Sequence, residues 1–231
     1  MPQLIAMIII VVGAMIYMFQ TFGGTGDKIE GIAQKASVIT EINNIKNGLK
    51  LAARAGDIKY TATVSTNLQD LAKLGYFPEQ INEQLIASKA TTDKNGYNAI
   101  SFGGTSEQLD TAAMKISLVV ANEGLIPGIY VEFPTKGSLG TSGGFLESQV
   151  ANDLKSIALI HRSATSVAGA NTVAQNTTGT GIEKRTPKVG IRTGAGTAGD
   201  PYVYEDKANN DDGKFIIYFS DFGSNEVIVK E

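Results

Sequence analysis

"MPQLIAMIIIVVGAMIYMFQTFGG" (Met1–Gly24) runs into "KIEGIAQKASVITEINNIKNGLKLAAR" (Lys28–Arg54), and the reading of these two stretches decides the fold. The first has no charged side chain, and none appears before Asp27. Its apolar core, Leu4 to Phe22, is about 19 residues long, near the ~20 that cross a bilayer as a helix. A cleaved signal peptide fits poorly, because no basic residue precedes the apolar run and the bulky Ile16–Phe19 offers no small-residue cleavage site. In the second stretch Ile29, Ile32, Ala33, Ala36, Ile39, Ile42, Ile45, Leu49 and Ala52 recur at intervals of three and four, with polar residues between them. This predicts one amphipathic helix. Continued through the apolar segment, the element would span roughly 80 Å at 1.5 Å per residue. Gly13 interrupts the first half, and Gly23, Gly24 and Gly26 mark the junction. Each glycine costs about 1 kcal/mol relative to Ala in a helix interior, so the helix can break there.

The remainder reads as a mixed domain over residues 56–231, behind an apolar segment 1–26 and an amphipathic segment 27–55. "TNLQDLAKLGYFPEQINEQLIA" (Thr66–Ala87) predicts two short helices parted at Pro78. "YNAISFGG" (Tyr97–Gly104) and "IPGIYVEFP" (Ile126–Pro134) read as strands. "TSEQLDTAAMKISLVVANEGL" (Thr105–Leu125) reads as a capped helix with Leu109, Ala112, Ala113, Ile116, Val119 and Val120 on one face. "GGFLESQVANDLKSIALIHR" (Gly143–Arg162) reads as another, placing His161 near a helix end where a cation suits the dipole. Ser163–Asp200 is rich in small polar residues, which predicts surface structure with a short strand at "KVGIR" (Lys188–Arg192). "DPYVYED", "KFIIYFS" and "EVIVK" predict C-terminal strands, the last two forming a hairpin through "DFGSN" (Asp221–Asn225). The fold class expected is α+β, a long N-terminal helix packed on an antiparallel sheet.

Composition narrows the chemistry. Among 231 residues there is no cysteine and one histidine, so disulfides, thiolate metal sites and a Cys nucleophile are absent, and a zinc site or His-based triad has no ligands to draw on. Net charge is −3 with Lys and Arg scattered, which disfavours nucleic acid. "GAGTAG" (Gly194–Gly199) matches a dinucleotide fingerprint but leads into a strand rather than a helix. "DFG" is a turn, and "DKANNDDG" (Asp206–Gly213) lacks the ligand alternation of a calcium loop. No catalytic residue, cofactor or metal is assigned, and an enzyme is not expected.

With an apolar then amphipathic N-terminal helix, "LQDLAKLGYFPEQI" between helix and sheet, and "SEQLDTAAMKISLVV" in the place of a central-domain helix, the chain resembles a type IV pilin of the type IVb group. That resemblance implies a structural subunit, held in the inner membrane and then drawn by assembly machinery into a helical homopolymer on the cell surface for adhesion, aggregation or motility. Leu4, Ile5, Ile8, Ile9, Val12, Ile16 and Phe19 would line the membrane and then the filament core. Gly13, Gly23, Gly24 and Gly26 would allow that helix to unwind. The chain departs from the family in having Ile5 where such pilins carry Glu, and in lacking their C-terminal disulfide. A monomeric membrane-anchored binding domain is the alternative.

If the apolar segment is a filament core, Ile9→Asp or Val12→Asp places an unpaired charge among neighbouring helices and abolishes fibres. Electron microscopy of cells whose mutant chain still reaches the membrane checks this. Normal fibres would remove the segment from the core.

Overall fold

In the computed structural model the described residues are 32–60, 65–87, 94–99, 111–162, 185–187, 191–193, 203–205 and 211–231. The chain divides into two compact units, residues 1–37 and 38–231. Of the first unit residues 32–37 are described, and they are helical. Leu4–Phe22 and Gly13, Gly23, Gly24 and Gly26 lie outside the described residues. Among the described residues no helix is long and apolar enough to cross a membrane.

Helix α1 covers residues 32–55, as its three-four periodicity dictates. It ends because Gly56 adopts φ +79°, which only glycine enters without strain. The Gly56 N–H then donates to the Ala53 carbonyl at 3.1 Å and the Asp57 N–H to Ala52 at 3.0 Å, satisfying two carbonyls of the last turn. Strand β1 (Lys59–Tyr60) follows. Helix α2 (Leu68–Lys73) starts at Asn67, whose side chain accepts the Asp70 N–H at 3.1 Å, a polar cap of the expected kind. Helix α3 (Glu79–Ala87) begins directly after Pro78. The two helices read from Thr66–Ala87 are therefore present.

Strands β2 (Gly96–Asn98), β3 (Lys115–Val119), β4 (Gly128–Glu132), β5 (Ala158–His161) and β8 (Lys214–Phe219) form one antiparallel sheet in the order β2-β3-β4-β8-β5. Helix α4 (Gly143–Leu154) joins β4 to β5. Strand β8 then inserts between them, antiparallel to both. Its buried run Phe215–Phe219 fits a central position with both faces covered. Strands β6 (Ile191–Thr193) and β7 (Val203–Glu205) pair with each other, and β9 (Val229–Lys230) pairs in parallel with β1.

The register sets the faces. Tyr97, Ile116, Val131 and Phe215 are opposite one another across four strands, and Phe219 shares their face. Helix α1 lies over this face: Tyr97 donates to Glu41 at 3.3 Å, and the Lys46 ammonium sits 4.9 Å from the Phe219 ring centroid. Val38, Ile42, Ile45, Leu49, Ala52 and Ala53 are fully buried there. Each large apolar member contributes about 1.5–3 kcal/mol.

Three expectations are corrected. The segment read as a helix over Thr105–Leu125 is strand β3 from Lys115, because Ile116, Ser117, Leu118 and Val119 are buried on both faces and a continuous apolar run fits a central strand better than a one-sided helix. The feature that resembled a pilin central helix is thus a strand over that part. The Gly143–Arg162 helix stops at Leu154, and Ala158–His161 is an edge strand; its Ile160 pairs with Ile217, and the apparent helical period beyond Leu154 was coincidental. His161 is consequently a buried strand residue and does not cap a helix. Nor do the last two strands form a hairpin through Asp221–Asn225, because β8 pairs with β4 and β5 while β9 pairs with β1.

Close approach of α1 to the α2–α3 connection depends on Gly48. A Cβ there would lie 2.6 Å from Phe77 Cε1 and 2.8 Å from the Tyr76 carbonyl oxygen, which is backbone and cannot rotate away. Gly48→Ala should destabilise the fold by about 1–3 kcal/mol despite the better helix propensity of Ala. A urea titration followed by circular dichroism measures it, and an unchanged or raised midpoint would contradict the tight contact.

Candidate assembly surface

Along α1, Lys46, Lys50 and Arg54 are spaced four apart and so form one row on the helix. That row faces the loop following β8. Lys46 Nζ lies 3.3 Å from Asp221 Oδ2, and Lys50 Nζ lies 3.2 Å from the same oxygen and 2.7 Å from the Asp221 carbonyl. Arg54 Nε donates to Glu226 Oε1 at 3.1 Å, with a second bond from its NH2 group to the same oxygen. Glu226 Oε2 accepts the Gly223 N–H at 2.7 Å. The Lys50 ammonium also stands 5.8 Å from the Phe222 ring centroid. Arg185 donates to the carbonyls of Phe222 and Gly223, tying the same loop from the other side.

The Glu226 side chain is only 5% exposed, whereas Asp221 is 45% exposed. Burial alone would raise both carboxyls. The bonds and charges of Lys50 and Lys46 outweigh it at Asp221, and the Gly223 N–H, Arg54 and Lys50 do so at Glu226, so both are held below the ordinary carboxylate range.

This arrangement draws Lys46 and Lys50 onto the loop after β8, while Arg54, in the last turn of α1, stays 64% exposed. The exposed residues over 32–51 are Ile32, Ala33, Ala36, Ser37, Thr40, Asn47 and Leu51, none of them ionisable. Ile32 is 64% and Leu51 53% exposed. Exposed helix faces in water are ordinarily rich in charge, so a long uncharged one is informative.

A second ion-pair group holds the far end of the sheet. Buried Glu147 on α4 accepts from Arg162 Nε at 2.8 Å and from the Gly213 N–H at 2.9 Å, and Arg162 also donates to Asp211 Oδ1 at 2.5 Å. Burial raises the Glu147 carboxyl, with Arg162 and the Gly213 N–H offsetting it only in part. Its function is to seat the turn that launches β8.

None of the apolar residues read as a filament core, nor the four glycines, falls within the described residues. Within Ser163–Asp200, expected to be surface with a short strand at Lys188–Arg192, Pro187 is buried and the Arg185 carbonyl accepts the Ile126 N–H at 2.8 Å. Asp221, read as a turn residue, lies in a turn and also anchors α1. Glu226 carries no signal of its own in the sequence, because its partner Arg54 lies 172 residues away. Among the described residues no group of His, Asp or Glu could hold a metal ion. No family model matches the chain, and neither a curated protein nor a solved structure matches it.

Because the folded pKa values of Asp221 and Glu226 are depressed, their stabilisation is full above the unfolded carboxylate value of about 4 and is lost as pH falls through the folded values. The thermal midpoint of the native chain should therefore fall between about pH 5 and pH 2. Glu226→Gln should be less stable at pH 7 and show a shallower acid decline. Parallel acid profiles for the two proteins would mean that the clamp carries no such linkage.

Proposed function

We propose that this chain is the structural subunit of a type IV pilus-like extracellular filament, held in the inner membrane by Leu4–Phe22 and then assembled with copies of itself. The observation that carries the reading is α1, with one face buried on the sheet and the other exposed and uncharged from Ile32 to Leu51. The antiparallel sheet behind it agrees with the α+β architecture that the resemblance implies.

A bilayer accepts the apolar segment at no cost, but in a water-surrounded fibre the same surface is buried by neighbouring helices, at ~25 cal/mol per Å² of apolar area. An uncharged face on the adjoining helix extends the area that can be buried without stranding an ion. A head-to-tail contact that does not close then propagates as a helical filament. Adhesion or aggregation would be properties of the outer surface of that fibre, and the role is structural rather than catalytic.

The double variant Thr40→Glu, Asn47→Glu tests this directly. Both positions are exposed, so the variant should fold and reach the membrane as the native chain does while failing to form fibres visible by electron microscopy. Fibres of normal number and length would overturn the proposal, and native material that forms none would favour a monomeric anchored domain.

A further inference from the structure

We infer that Asn95–Gly96 is a spontaneous modification site: when the contacts among β2, β3 and α2 open, the Asn95 side chain cyclises onto the Gly96 nitrogen and loses ammonia. The chain thereby keeps an irreversible record of that opening, independent of any filament contact.

The ladder between β2 and β3 pairs Gly96 with Ser117, so the next position sets Asn95 opposite Leu118. There the side chain does the pairing. The Leu118 N–H donates to Asn95 Oδ1 at 3.2 Å, and Asn95 Nδ2 donates to the Leu118 carbonyl at 2.7 Å. Oδ1 accepts a second bond at 3.2 Å, from the Leu68 N–H at the start of α2. Beside it the Gln69 N–H donates to the Lys94 carbonyl at 3.0 Å. One oxygen that takes two N–H donors and one nitrogen that faces a carbonyl are the pattern of a primary amide. Leu68 and Leu118, whose backbones this amide holds, are both core residues, so the clamp joins helix to sheet over buried apolar surface.

The same amide is the reactive group of an Asn–Gly pair, in which no Cβ obstructs the approach of the following backbone nitrogen. The Gly96 N–H gives its proton to hydroxide and the nitrogen bonds to Asn95 Cγ. The Cγ–Nδ2 bond then breaks as Nδ2 takes up a proton and leaves as ammonia. Water opens the resulting five-membered imide at either carbonyl, giving aspartate or isoaspartate. Turning Cγ onto the Gly96 nitrogen breaks the three bonds to Leu118 and Leu68, so the reaction waits for local opening. Neither product closes on the same terms. A carboxylate sets an acceptor against the Leu118 carbonyl, where Nδ2 donated, and isoaspartate adds a backbone methylene that disturbs the register with β3.

Peptide mass spectrometry of the full-length chain in nonionic detergent micelles at mildly alkaline pH follows conversion at residue 95. It is read across a urea series below the unfolding midpoint and at one denaturing concentration. Conversion should rise in proportion to the open population read from hydrogen exchange at the Leu118 amide, and should be fastest in the denatured chain. Gly96→Ala should slow it in the denatured chain, where packing plays no part, which distinguishes the imide route from direct hydrolysis. Asn95→Asp should lower the folded-to-unfolded ratio about tenfold, the scale of one buried acceptor left facing another. A rate that ignores urea below the midpoint, no conversion even in the denatured chain, equal rates in Gly96→Ala, or a native midpoint in Asn95→Asp would each overturn the inference.

Discussion

The stripe Val38, Ile42, Ile45, Leu49, Ala52 and Ala53 leaves water only because a sheet stands under it, and that sheet is complete only once β8 has entered between β4 and β5. Burial of this stripe is the interaction on which the rest of the described unit depends. Lys46 and Lys50 reach the β8 end of the sheet over Phe219 and Phe222, and Gly48 admits Phe77 from the α2–α3 connection. Helix, sheet and connection therefore share one apolar contact, and none of them could bury its own face alone.

Charge completes what apolar burial begins. Two carboxylates in the loop after β8, Asp221 and Glu226, receive Lys46, Lys50 and Arg54 of α1. Glu147 does the same at the other end of β8 by receiving Arg162 and the Gly213 amide. The strand that closes the sheet is thus held at both its entry and its exit by a buried or half-buried acid. Because such acids would be costly unpaired, these contacts also fix which register β8 can adopt. With Lys46 and Lys50 drawn onto that loop, the exposed residues of α1 from Ile32 to Leu51 carry no charge.

The pilin resemblance stands on fewer features after the structure than before it. The segment Thr105–Leu125, placed by the resemblance as a central-domain helix, is a strand from Lys115. What supports a filament role is the helix: an apolar N-terminal run in the sequence, an amphipathic continuation in α1, and exposed residues from Ile32 to Leu51 that carry no charge.

Local chemistry made much of this chain legible in sequence. The period of Ile42, Ile45, Leu49 and Ala52 specified a helix, Pro78 specified the division between two more, and the apolar runs at Gly128–Glu132 and Lys214–Phe219 specified strands. Each of these signals acts within a few residues. The runs at Ile116–Val119 and Ala158–His161 carry no such signal, because a short buried apolar segment satisfies helix and strand patterns alike, and only the presence of a neighbouring strand decides between them. Pairing of β9 with β1 instead of β8, and of Glu226 with Arg54, were likewise settled by tertiary structure: both partners are far apart along the chain, and nothing in either segment names the other until the fold brings them together.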